Sequence, residues 1–165
     1  MRKFVSILLV LSLFLIPSLL TGCFQRSEDG VKGEVLRELN YRGLTFYEKF
    51  GGHTIKKHVG KSYKWLVERL KEEPRLRSAS SFYDLETAEM VVRKAISENG
   101  ERIKRWLSEG GAPDKLVLIY RGDRPIGIKV LRGKNYYIER VCKDARIVLK
   151  KDKRFGFIVL TAYPT

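Results

Sequence analysis

Histidine and cysteine are scarce in this chain, two of each among 165 residues, and their scarcity excludes much. A zinc site draws three or four ligands from His, Cys and carboxylates at short spacings, and the sequence holds no such cluster. His53 and His58 lie five apart, which on a helix turns them about 140° from each other and places them poorly to share one ion. No glycine-rich phosphate loop or dinucleotide fingerprint occurs, so nucleotide-dependent chemistry has no anchor. The serines carry no nucleophile elbow, which argues against triad hydrolysis of esters or peptides. Internal repeats and low-complexity tracts are absent, as is any second-domain boundary. Acidic residues are few for the number of bases: 19 Asp and Glu against 33 Lys and Arg, a formal charge of +14.

The N-terminus has its own logic. Arg2 and Lys3 precede an apolar run from Phe4 to Leu20, which ends in Leu20-Thr21-Gly22-Cys23. A basic start, a short apolar stretch and small residues before a cut are the parts of a secretory signal. An uncleaved membrane span is the alternative, and Pro17 and the small residues before Cys23 argue against it. The Leu-Thr-Gly-Cys ending resembles the lipobox of bacterial lipoproteins. That resemblance implies acylation of Cys23, cleavage just before it, and stable anchoring, because two acyl chains hold a protein at a bilayer where one does not. The expected organisation is a signal peptide over 1–22, the lipidated Cys23 with a polar tether over 23–33, and one domain over 34–165. The protein is then exported and lipid-anchored to the cell membrane or outer membrane of a bacterial envelope. The 143 residues left after cleavage suffice for one ordinary core. With Cys23 on lipid, Cys142 has no intramolecular disulfide partner and reads as an ordinary half-buried thiol.

Loss of Arg2 and Lys3 reduces the positive excess to twelve. An excess of this size predicts attraction to polyanions such as nucleic acid, anionic lipid or acidic wall polymers. The other reading is a heavily charged, well-solvated surface of the kind heat-adapted proteins carry.

Periodicity divides the domain in two. Val35, Leu36 and Leu39 predict a first short helix, interrupted by Gly43; Leu44, Tyr47 and Phe50 resume a spacing of three. After Gly51-Gly52, Ile55 and Val59 stand four apart, as on one helical face. Ser62 caps a helix carrying Trp65, Leu66 and Leu70 on one side. Asp84 caps the clearest helix, with Leu85, Ala88, Val92, Ala95 and Ile96 at helical spacing up to Asn99-Gly100. Ile103, Trp106 and Leu107 form one more amphipathic piece. From Lys115 the pattern becomes extended: 116–120, 126–131, 136–141, 145–149 and 155–163 read as strands with Gly- and Asp-bearing joints. Helices followed by antiparallel strands predict an α+β domain.

The side chain suited to proton exchange near neutral pH is His, and both histidines sit within residues 51–60. Around them, Gly51-Gly52-His53-Thr54-Ile55, His58-Val59-Gly60, Ser62, Arg69-Leu70, Ala79-Ser80-Ser81-Phe82, Thr87-Ala88-Glu89, Ile103, Trp106-Leu107, Val148-Leu149-Lys150-Lys151-Asp152 and Leu160-Thr161-Ala162-Tyr163-Pro164-Thr165 together resemble the bacterial RNase A-like domain. That domain is a C-terminal toxin module of contact-dependent growth-inhibition proteins. The resemblance implies a two-lobed, RNase A-like fold without disulfides. It also implies a catalytic set of His58, Arg69, Thr161 and Tyr163, with His53 held between substrate contact and folding. Residues two apart on a strand share a face, so Thr161 and Tyr163 would project together; the alternative for Tyr163 is an aromatic core residue. The implied activity is a metal-independent, cofactor-free ribonuclease using the ribose 2′-hydroxyl to form a 2′,3′-cyclic phosphate. RNA is then the substrate and an antibacterial toxin the role, with a cognate immunity protein as partner. The alternative is a non-catalytic surface lipoprotein that binds nucleic acid or another polyanion.

Overall fold

A computed structural model describes residues 25–165; Cys23 and the segment read as a signal peptide lie outside them. Six helices and six strands follow in order. The first helix, α1 (Gln25–Glu38), starts within the stretch read as a tether, and its last turns carry Val35 and Leu36, with Leu39 just beyond, into the core. Gly43 takes φ +88°, a backbone conformation that favours glycine, and sets up α2 (Leu44–Glu48). Next come α3 (Thr54–His58) and α4 (Tyr63–Glu72), the latter capped by Ser62, whose Oγ accepts from Trp65 N at 3.3 Å. Strand β1 (Ser78–Phe82) intervenes before α5 (Leu85–Glu98), capped as expected: Asp84 Oδ1 accepts from Thr87 N at 2.7 Å. Helix α6 (Gly100–Ser108) completes the helical part.

The remaining strands are β2 (Lys115–Tyr120), β3 (Gly127–Arg132), β4 (Tyr137–Cys142), β5 (Ala145–Asp152) and β6 (Gly156–Pro164). They form two three-stranded antiparallel sheets, ordered β1-β3-β4 and β2-β5-β6. The Arg121-Gly122-Asp123 joint therefore carries the chain from one sheet to the other, whereas β3-β4 and β5-β6 are hairpins. The molecule is α+β and two-lobed, with no disulfide among the described residues; Cys142 is a free thiol, buried rather than half-buried.

Alternation along β5 shows how the larger lobe is held. Ala145, Ile147 and Leu149 are buried against α5, α6 and their neighbours, while Arg146, Val148 and Lys150 face outward. Each fully buried aliphatic side chain of this kind contributes about 1.5–3 kcal/mol of transfer free energy. The smaller lobe has its own core, in which Leu66, Val67 and Leu70 of α4 pack on Ala79 of β1 and Val130 of β3. Helix α3 sits at the junction, and that position creates the site.

Candidate active site

Helix α3 is short, and tertiary bonds hold it. The Glu48 carboxylate accepts from Ile55 N at 3.1 Å and Lys56 N at 2.8 Å, satisfying donors that a helix N-terminus leaves free. His53 N donates to Leu160 O at 3.0 Å, and Ala162 N donates to the buried Thr54 Oγ1 at 2.9 Å. These two bonds bracket Thr161. The same stretch of β6 carries a bulge: Val148 pairs with Thr161 and Leu149 with Val159, so Leu160 is the extra residue. A bulge re-aims the side chains around it, and here it turns the end of β6 toward α3.

Bonds from β1 join the smaller lobe to this centre. Ser80 Oγ on β1 donates to Pro164 O at 2.7 Å, and the Ser80 carbonyl lies 2.9 Å from His58 Nδ1. Lys61 N donates to Ser81 Oγ at 2.9 Å. Because a carbonyl only accepts, His58 Nδ1 carries the hydrogen, and in the neutral ring Nε2 holds the free lone pair. His58 is 9% exposed. Burial, aided by the nearby Arg69 charge and opposed by the Ser80 carbonyl, pushes its pKa down to about 4. His53 is also shifted down, first by burial and then by Lys57, with Glu48 opposing.

Arg69 projects from α4, fixed by Glu73 (Nε to Oε1, 3.0 Å) and by the Lys57 carbonyl (3.4 Å). Its side chain is 11% exposed. A guanidinium has five N–H donors, so these two bonds leave others for a ligand. The Tyr163 ring lies beside that of His58, with centroids 5.3 Å apart and planes tilted by 32°. The aromatic-core alternative for Tyr163 is thereby excluded: Phe157, Val159 and Ala162 supply the core, while Tyr163 is half-buried and opens on the cavity.

That cavity, about 340 Å³, lies between the lobes and brings together His53, His58, Arg69, Thr161 and Tyr163. All five residues singled out in the sequence line it. Within it, Thr161 Oγ1 is buried and has no hydrogen-bond partner among the described residues. A buried hydroxyl left without a partner costs about 1–3 kcal/mol. Sequence reasoning assigned no role to Lys129 of β3, which also lines the cavity, or to Thr54 and Ser80, which hold β6 and His58 in place. Thr54 and Ser80 carried only a weak signal as members of the quoted motifs.

Residues 52–164 match the family described as Bacterial CdiA-CT RNAse A domain. The chain belongs to that family. The matched span runs through every cavity residue named above. Among solved structures, the crystal structure of the CdiA-CT/CdiI complex from Y. kristensenii 33638 is similar at 38% identity and a TM-score of 0.61, covering 69% of this chain and 99% of that one. No curated protein matches. Membership in the RNAse A domain family gives the two-lobed fold its place among ribonuclease toxin domains. No group of three or more His, Cys, Asp and Glu among the described residues is arranged to hold a metal ion.

Proposed function

We propose that the chain is a metal-independent ribonuclease that cleaves RNA by attack of the ribose 2′-hydroxyl on the adjacent phosphorus, giving a 2′,3′-cyclic phosphate and a free 5′-hydroxyl. The observation that carries this reading is the cavity that brings a neutral imidazole and a fixed guanidinium together with Thr161 and Tyr163. His58 Nε2 takes the 2′-hydroxyl proton, since its other nitrogen is committed to Ser80. Arg69 stabilises the charge that develops on the phosphoryl oxygens, and Thr161 and Tyr163 donate to and orient the phosphate. In-line displacement requires the attacking and leaving oxygens on opposite sides of phosphorus. Tyr163 stands next to the base, so we assign protonation of the 5′-oxygen to His53, five residues away at the other end of α3. Its downward-shifted pKa rises again when an anionic phosphate offsets the Lys57 charge.

The test is His53→Ala on two substrates, RNA and a uridine 3′-phosphate ester with a nitrophenol leaving group. Loss on RNA with near-normal cleavage of the activated ester marks His53 as the acid; equal loss on both would reject that role. For the whole protein, the lipobox supports anchoring at the bacterial envelope through Cys23. A cognate immunity protein is the expected partner, because the similar chain was solved in a CdiA-CT/CdiI complex. The ribonuclease activity then serves as an antibacterial toxin.

A further inference from the structure

On the far side of Arg69 from the cavity, a second groove of about 450 Å³ runs along α4, lined by Lys56, Lys57, Lys61, Trp65 and the carboxylates of Glu68, Glu72 and Glu73. Arg69 lines both openings, so the two are neighbours across one side chain. Trp65 does not join the core stripe in which sequence periodicity placed it. Its helix buries Leu66, Val67 and Leu70, whereas Trp65 is 38% exposed. Lys61 Nζ lies 5.2 Å from its ring centroid and Arg69 Cζ 5.9 Å.

Resting on the ribonuclease reading, we propose that Trp65 is the stacking platform of a second RNA subsite, which takes a nucleobase beyond the two that flank the scissile phosphate. An exposed indole beside a row of lysines is the arrangement by which proteins hold single strands without reading sequence: the base stacks, and Lys and Arg follow the phosphates. The groove is divided in the way such a nucleotide requires. Lys56, Lys57 and Lys61 stand on the α3 side, where the backbone phosphates pass, and the incoming base displaces the Lys61 ammonium from the ring toward them. The opposite wall is acidic and repels a phosphate, but it accepts from the exocyclic amino group of a base. Glu68 is held by Lys71 at 2.8 Å and Glu73 by Arg69 at 3.0 Å; Glu72 has no ion-pair partner among the described residues and is the free acceptor. A bound nucleotide also covers Arg69 from the solvent side and so strengthens its interaction with the scissile phosphate.

The chain has two tryptophans, and the other, Trp106, is 5% exposed with its Nε1 donating to Pro113 O at 2.7 Å. A change in tryptophan fluorescence on RNA binding therefore reports on Trp65, with Trp106 a constant background. The full chain in detergent, carrying His58→Ala to stop turnover, is titrated with a single-stranded RNA hexanucleotide. The expected result is saturable quenching that Trp65→Phe abolishes. In the active protein, Trp65→Ala should cost the hexanucleotide about tenfold or more in kcat/KM relative to a dinucleotide, and Trp65→Tyr should recover most of it. RNA binding, followed by anisotropy of a labelled strand, without change in Trp65 emission, together with equal losses on both substrates, overturns the subsite while the ribonuclease reading stands. Quenching by RNA that an active-competent chain never cuts leaves the subsite standing and rejects the ribonuclease reading.

Discussion

His58 concentrates three properties in one side chain: a fixed tautomer, a free Nε2 and a pKa pushed down to about 4. General acid–base groups contribute about a hundredfold to ten-thousandfold, so His58→Ala should cost that much in RNA cleavage rate while the circular dichroism spectrum is retained. Because the free enzyme needs His58 neutral, the acid limb of kcat/KM against pH should bend near 4 and not near the ordinary histidine value of about 6.5. The same shift bears on stability. With the folded pKa below the unfolded one, the contribution of His58 is fully present above pH 6.5 and is lost as pH falls toward 4. The loss amounts to about 3 kcal/mol in all. Urea denaturation at pH 7 and pH 4, wild type against His58→Gln, isolates this part from carboxylate titration; a pH difference common to both proteins would contradict it. Arg69→Lys should also impair cleavage, since an ammonium keeps the charge but loses the planar fork. The histidine, the arginine and the Thr161-Tyr163 pair were legible in the sequence through the family resemblance, whose motifs carry them. The partner of His58 was not, because it is a backbone carbonyl, which every residue carries.

At the scale of elements, the site depends on how α3 is docked onto β6. Thr54 and Gly52 do this by different means. Thr54 Oγ1 satisfies the Ala162 amide from a fully buried position, so Thr54→Val leaves a buried N–H unpaired and should cost about 1–3 kcal/mol, read by thermal or urea melting. At Gly52 a β-carbon would lie 2.7 Å from Val159 O and 2.8 Å from Tyr47 O, both backbone atoms with little room to move. Gly52→Ala should therefore destabilise by about 1–3 kcal/mol and depress cleavage by displacing His53; an alanine variant of normal stability and activity would refute the close docking. Helix caps at Ser62 and Asp84 and five of the six strands were readable from residue pattern alone. Strand β1 was not. Ser78-Ala79-Ser80-Ser81-Phe82 is short and mostly small, and it is buried from Ala79 onward, so it shows no alternation. Trp65 misled for the converse reason, since an aromatic at helical spacing reads as core whether or not anything covers it.

For the whole molecule, the division into two lobes explains why the site exists at all. α3 and β6 bring His53, His58, Thr161 and Tyr163 from one side, and α4 and β3 bring Arg69 and Lys129 from the other. Their separation in sequence, from residue 53 to 163, is why only the family resemblance could assemble them beforehand. The net positive charge should make RNA binding fall steeply and log-linearly with salt; a flat response would show the charge to be merely a solvated surface. The proposed anchoring is tested separately: Cys23→Ala should leave an unprocessed precursor that takes up no labelled fatty acid. The most direct test of the central claim is incubation of the chain with end-labelled RNA in excess chelator, alongside His58→Ala, followed by analysis of the new 3′ ends. The wild type should give 2′,3′-cyclic phosphate ends, undiminished by chelator, and the variant almost none. Cleavage that stops in chelator, or that survives His58→Ala, would contradict that claim.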